Sequence, residues 1–293
     1  ITGKSVRLQN VRANRDRPGL APQHLAAVRA VGSLCAAEYT GLALRSQAFT
    51  FAPGALRGGA FRIDVGTAGS VTLVLQALLG MWTVTLLLKP LIVTLHLLGG
   101  LATLALLWWL ALPPEHRELK AAERPVRRLA IAAFAVLVAQ IALGGWTSTN
   151  YSAAACADFP ACHGKWWPDM DFKNGFVLWR GLGIDYEGGV LDTPARVAIH
   201  YSHRLGAYLT GLVLLLLVLG AWRRAQTALT RGAATAVLVA VALQITIGMN
   251  LIWRGWPLWL GTSHNAGAVL LVLAMVALLR YLSPRAEVGR LRP

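Results

Sequence analysis

Long apolar stretches separated by single charges set the pattern of this chain. Residues other than Asp, Glu, Lys and Arg run for 24 positions between Asp64 and Lys89, 25 between Lys89 and Glu115, and 29 between Arg128 and Asp158. Further along, they run for 18 positions between Arg204 and Arg223, 22 between Arg231 and Arg254, and 25 between Arg254 and Arg280. About 20 apolar residues in a helix cross a hydrocarbon core roughly 30 Å thick. At that depth the backbone must satisfy its own polar groups, so each stretch is predicted as a helix. The spans fall at about 67–88, 90–112, 127–148, 197–222, 232–253 and 257–281. The expected fold class is an all-α, polytopic membrane helix bundle with six transmembrane helices.

Composition agrees with this pattern. Of 293 residues, 56% are hydrophobic and 14% charged, against about 45–50% and roughly a quarter in soluble domains. That excess argues against a water-soluble globular enzyme. The net charge of +15 fits either nucleic acid or the cytoplasmic face of a membrane, and its distribution decides. Arg117, Lys120, Arg124, Arg127 and Arg128 lie in one connection, Arg223, Arg224 and Arg231 in another, and Arg280, Arg285, Arg290 and Arg292 towards the C-terminus. The alternate side has Lys89 and Arg254 in its short turns, and a long loop, 149–196, with five Asp and one Glu against four basic residues. Positive charge collects on the cytoplasmic side. The loop 149–196 is therefore expected outside the cytoplasm, and the chain in a bacterial cytoplasmic (inner) membrane in contact with lipid. No basic stripe is interleaved with stacking aromatics, so no nucleic-acid partner is expected.

Residues 1–66 do not fit. The first 65 carry nine Lys and Arg and three acids, and the most apolar window, Leu25 to Leu44, is broken by Arg29 and Glu38. The window reads as a poor helix, with no signal peptide or clean span. The segment is expected to be disordered or frame-shifted, and a start at Ile1 rather than Met suggests a fragment.

An internal repeat organises the rest. Leu75-Gln76-Ala77-Leu78-Leu79-Gly80-Met81 resembles Leu243-Gln244-Ile245-Thr246-Ile247-Gly248-Met249, and the same offset of 168 carries His96 onto His264. Gln140 is likewise followed four residues later by Gly144. The second half is then a four-helix unit, 127–281, joined by the cytoplasmic loop 113–128 to the remaining helix pair of an incomplete first half, 67–112. A basic tail, 282–293, follows.

His96, His203 and His264 lie in apolar helices at a common depth near the outer end, and His200 lies one turn before His203. His24, His116 and His163 fall in polar segments and are expected to be solvated. Ionisable groups within a span usually face the bundle interior and a partner. One such histidine reads as an interhelical hydrogen bond, whereas three at one level point to ligation. Bare zinc or copper recruits additional Cys, Asp or Glu ligands, and none sits at that depth. Haem needs one or two axial side chains and an apolar slot. Gly99, Gly100, Gly206, Ala207, Gly261, Ala266 and Gly267 flank the histidines, either leaving room for a macrocycle or allowing close helix packing. Cys156 and Cys162, on the oxidising side, are expected to form a disulfide, and Cys35 has no evident partner. Trp146, Trp166, Trp167, Trp179, Trp253, Trp256 and Trp259 are expected in an interfacial aromatic belt.

Four stretches resemble the haem A synthase (cytochrome oxidase assembly) family: LQALLGMWTVTLLLKPLIVTLHLLGG at 75–100, QIALGGWTSTNYSAAACADFPACHGKWWPDMDF at 140–172, IHYSHRLGAYLTG at 199–211 and LGTSHNAGAVL at 260–270. The resemblance covers about residues 70–282. It implies two four-helix halves and oxidation of a methyl group of haem O to a formyl group, giving haem A for cytochrome oxidase. It also implies haem b (iron) held by His203 and His264, a catalytic substrate site with His96 on haem O, and a loop cysteine pair at Cys156 and Cys162. The implied partners are haem O and haem A, a haem O synthase, an electron donor and a second copy of the chain. The family's first two helices, and the His-Arg of its second, have no counterpart in 1–65, and a shifted frame upstream of about residue 68 would explain that. Arg204, Lys89 and Arg254 either pair with haem propionates or snorkel to the interface. The competing readings are a haem b-binding electron-transfer or haem-handling membrane protein, and an inactive remnant of the synthase.

Overall fold

The computed structural model describes residues 4–14, 16–55, 71–113 and 118–283. His116, Arg117, Arg285, Arg290 and Arg292, the start of the first expected span and the expected frame-shift point near residue 68 lie outside the described residues. The chain forms two compact units, Ile1–Gly99 with Leu182–Asp185, and Gly100–Gly181 with Tyr186–Pro293.

In the first unit, residues expected to be disordered or frame-shifted carry a small layered structure. Strands β1 (Val6–Leu8), β2 (Glu38–Thr40) and β3 (Phe49–Ala52) form an antiparallel sheet in the order β1-β3-β2. Phe51 of β3 sits opposite both Val6 and Tyr39. Helix α1 (Pro22–Leu34) opens with proline, whose fixed φ suits a first turn. Its Leu25 and Val28 pack with Leu20, Phe49 and Phe51. The poor helix expected over Leu25–Leu44 ends ten residues early. Ala36 turns the chain at φ 44, and Glu38, Tyr39 and Thr40 then pair with β3. β-Branched and aromatic residues favour that pleated partnership.

The helical hairpin α2 (Val71–Thr85) and α3 (Pro90–Ala111) follows. Among the described residues, five helices are long and apolar enough to cross a membrane, and α2, apolar over Leu73–Thr85, is shorter. The first expected span, at about 67–88, is therefore represented, among the described residues, by this shorter helix.

The turn between α2 and α3 reproduces the turn between α7 (Ala228–Trp253) and α8 (Leu258–Tyr281). Leu87 and Leu88 take φ 51 and 58, and Gly255 and Trp256 take φ 67 and 64. Leu88 N–H donates to Thr83 O at 2.9 Å, and Trp256 N–H to Leu251 O at 3.0 Å. The repeat read from side-chain types thus extends to backbone geometry.

The second unit holds α4 (Arg124–Thr149), the short α5 (Phe172–Gly175), α6 (Thr193–Arg224), α7 and α8. Helix α4 packs on α6 and α8, and α7 packs on α6 and α8, closing a ring of four. The helices run up to about a turn beyond the expected spans, because their ends tolerate charge and proline. Asp192 caps α6 by accepting from Ala195 N–H at 3.3 Å, with Pro194 just inside. Thr227 caps α7 by accepting from Thr230 N–H at 3.2 Å. The contiguous core lies in the half of the bundle away from loop 149–196. Ala130, Leu137, Leu214, Leu217, Val237 and Met275 are among its members. The protein is an integral membrane helix bundle, with a small sheet added before it.

Candidate histidine-bearing site

At the loop end of the second unit, α6 presents His200, His203 and Arg204 within little more than one turn. Arg204 is buried and engages all three nitrogens of its guanidinium. Its terminal nitrogens donate to the carbonyls of Ala161 at 2.8 Å, Cys156 at 3.0 Å and Asp158 at 2.7 Å. Its Nε donates to His200 Nε2 at 2.8 Å. The other ring nitrogen of His200, Nδ1, donates to Ser152 O at 3.0 Å. Both nitrogens of His200 are thereby engaged in holding the loop. Three loop carbonyls occupy its fork, a role that neither reading of the sequence named. Phe159 packs under the guanidinium with its ring centre 5.6 Å away.

The clasped loop is locally tied. Cys156 and Cys162 form a disulfide with Cα atoms 5.0 Å apart. Both are fully buried against Val197 and Tyr201 of α6, and Tyr201 Oη donates to Trp166 O. Asp158 accepts from the backbone N–H of Gly164 at 2.9 Å and of His163 at 2.7 Å. The Gly164 bond leads, with His163 and the nearby Arg204 charge assisting, in holding the Asp158 carboxyl below the usual carboxylate range.

His203 and His264 lie on α6 and α8, which both run from the loop end towards the packed half. Gln140 of α4 donates through Nε2 to His203 O at 2.9 Å and lies 3.0 Å from its Nδ1. Gln244 of α7 places Nε2 3.2 Å from His264 Nε2. His264 Nδ1 is buried without a hydrogen-bond partner. In the first unit, Gln76 of α2 donates to His96 O at 3.0 Å, and His96 Nδ1 is likewise buried and unpartnered. Glycines complete the arrangement. A Cβ added to Gly80, Gly144 or Gly248 would meet the Cε1 of His96, His203 or His264 at 3.1, 3.0 and 3.2 Å. A Cβ at Gly99, Gly206 or Gly267 would collide with the Oε1 of Gln76, Gln140 or Gln244. Of the two readings of the flanking small residues, these three serve close helix packing. The glutamine contacts were foreshadowed only by the Gln-Gly spacing shared by α2, α4 and α7.

Other expected residues are less engaged. Lys89 is buried at the α2–α3 turn, and Arg254 Nε donates to Asn250 Oδ1 at 3.2 Å on the surface. Trp166, Trp167, Trp179, Trp253 and Trp259 are exposed. Trp146 departs from the expected belt: it is buried, and its indole N–H donates to Gly175 O at 2.9 Å. Trp256 sits edge-on to His200 at 5.8 Å. His163 is exposed, whereas His24 is half-buried in α1 with Nδ1 unpartnered, contrary to the solvated side chain expected. Cys35 is free and buried.

Similarity to known proteins extends this picture. Residues 32–276 match the family described as cytochrome oxidase assembly protein. The haem A synthase of Shewanella oneidensis is 39% identical over 206 residues, covering 69% of this chain and 62% of that protein. The chain thus spans less than two thirds of that relative. A second similarity is to RNA 3'-terminal phosphate cyclases. The enzyme of Nitrosospira multiformis is 61% identical over 79 residues, 27% of this chain and 22% of the cyclase. That of Methanopyrus kandleri is 56% identical over 77 residues, 26% of this chain and 22% of the cyclase. With most of its length matched and its repeated helix pairs each bearing a histidine, the chain belongs to the cytochrome oxidase assembly protein family.

Proposed function

We propose that the chain acts as a haem A synthase, oxidising a methyl substituent of haem O to a formyl group to yield haem A. Family membership supports this, and one observation carries it: the glutamine–histidine pairing of α4 and α6 recurs in α7 and α8. Two half-buried imidazoles therefore stand on two helices that run the same way.

The donor set suits a haem. Among the described residues, no group of three or more His, Cys, Asp or Glu could hold a metal ion alone, whereas haem iron takes one or two axial side chains. The unpartnered Nδ1 of His264 and of His96 leaves each imidazole with a free nitrogen. His203 and His264 would hold haem b, and His96 would hold haem O as substrate. When bound, the iron supplies the redox chemistry, while the protein supplies orientation and electrostatics. Arg204 and His200 fix the loop across the head of α6, next to His203. The active setting is a bacterial cytoplasmic membrane with loop 149–196 outside, where an oxidising compartment maintains the Cys156–Cys162 bond.

The test is to express the full chain in membranes lacking haem A synthase, supply haem O and extract the haems. Formyl haem is the expected product. Recovery of unchanged haem O beside bound haem b would contradict catalysis and leave a haem-handling or electron-transfer protein.

A second reading concerns the N-terminal segment. The haem A synthase-like motifs occupy about 75–282, and matches of 206 and 79 residues fit side by side within 293. We infer that the cyclase-like stretch is the N-terminal sheet-and-helix segment with the residues leading into α2. A shifted frame would not preserve 61% identity to another protein, so this reading competes with the frame-shift one. At 22% of the cyclase's length, the stretch is taken as a piece of that fold without its whole activity. A tryptic peptide running from Ile63 to Arg117, uncut at Lys89 because Pro90 follows, found in native membranes, would support one joined chain. Its absence alongside abundant peptides from both flanks would contradict it.

A further inference from the structure

We propose that Gln76, Gln140 and Gln244 are positioning residues for His96, His203 and His264, each acting with two glycines as one device built three times. The proposal rests on the reading of these histidines as haem ligands, and goes beyond it by naming what orients them. In each helix pair, the first helix carries a glutamine and, four residues on, a glycine. The second helix carries the histidine and, three residues on, another glycine. The imidazole edge lies over the first glycine, and the carboxamide oxygen lies against the second. A methyl group at either glycine would push its partner away, so the glycines set the approach that brings amide and imidazole together.

Ordinary packing does not account for this. The residues bridged are 63 apart in α4–α6 and 20 apart in the other pairs, so connection length does not impose the geometry. All three glutamines leave Oε1 buried without a partner. Such a group costs on the order of 1–3 kcal/mol, and a leucine or methionine would fill the space without that cost. What recurs is an amide directed at the histidine residue: it meets a ring nitrogen in the α4–α6 and α7–α8 pairs and the backbone carbonyl of His96 in the α2–α3 pair. Ligating histidines take their orientation from a partner on the non-ligating nitrogen. A carboxamide can meet that nitrogen with its N–H or, turned over, with its oxygen, so it serves either tautomer of the ring.

The experiment uses the full chain in detergent, labelled with ¹⁵N-histidine, with and without protohaem. Gln140→Leu and Gly206→Ala should both move the His203 ring-nitrogen resonances and weaken haem b binding by about tenfold or more. Gln140→Glu, which keeps the shape and offers only an acceptor, should restore binding while moving the same resonances. Gln226→Leu, remote from the histidines, should leave them in place. Unmoved His203 resonances in Gln140→Leu overturn the proposal, whatever the haem content. Should Gln140→Leu not fold, unmoved resonances in Gly206→Ala and Gln140→Glu overturn it equally. Moved resonances in a chain that binds no haem keep the positioning role and remove the haem reading instead.

Discussion

Arg204 Nε donates to His200 Nε2 at 2.8 Å, one helical turn along α6, while His200 Nδ1 donates to Ser152 O. This exchange separates two histidines that look alike in sequence. His200 has spent both nitrogens on the loop and has none for a ligand, whereas His203 meets only Gln140. Replacing His200 with Phe is expected to leave the haem b absorption spectrum unchanged in shape and to lower the unfolding temperature by several degrees, since hydrogen bonds involving charged groups contribute about 1.5–3 kcal/mol. Loss of the haem spectrum in that variant would make His200 a ligand.

Arg204 itself is held by geometry as much as by charge. Its fork reaches three carbonyls that belong to one loop, and a lysine ammonium cannot reproduce that planar spread. Arg204→Lys is expected to cost roughly 3 kcal/mol of stability and to speed proteolysis within 152–165. Limited digestion of the purified protein, followed by mass spectrometry, checks this.

Acid should loosen the same loop. The folded-state value of Asp158 is depressed, chiefly by the Gly164 N–H. Its stabilising contribution is therefore complete above the ordinary carboxylate value of 3.8 and disappears as pH falls through the depressed value. Cleavage of the loop should rise as pH falls below about 4 and go on rising as it passes through the depressed value. Asp158→Asn should flatten that rise, with Asp169 and Asp171, also depressed, accounting for what persists.

The twin turns make a prediction about backbone strain. Leu87 occupies the left-handed position that Gly255 fills in the second turn, where a side chain costs about 1–2 kcal/mol. Leu87→Gly is expected to be neutral or to raise stability by about 1 kcal/mol after the added freedom of the unfolded chain is counted. Gly255→Leu should lower it. Thermal unfolding of both variants in one detergent gives the comparison.

The legible part of the structure followed from solvent alone. A bilayer requires apolar length, so α3, α4, α6, α7 and α8 could be placed to within a few residues from uncharged stretches. The repeat likewise emerged from Gln, Gly and His at one offset, and the disulfide from the side of the membrane expected for its loop. The grip of Arg204 on the loop was not foreseen because its partners are carbonyls more than 40 residues away, and carbonyls leave no mark in a sequence. Gln140 and Gln244 were visible as a spacing, but their targets depend on how closely glycines let helices approach. The N-terminal sheet was missed because strands of three or four residues, paired across long separations, carry almost no periodic signal.

The central claim is that His203 and His264 are the two axial ligands of haem b. The direct measurement is electron paramagnetic resonance of the oxidised full chain loaded with protohaem, alongside His203→Ala and His264→Ala. A low-spin bis-imidazole signal in the parent that vanishes in each variant is the expected result. The same signal persisting in both variants would contradict the account.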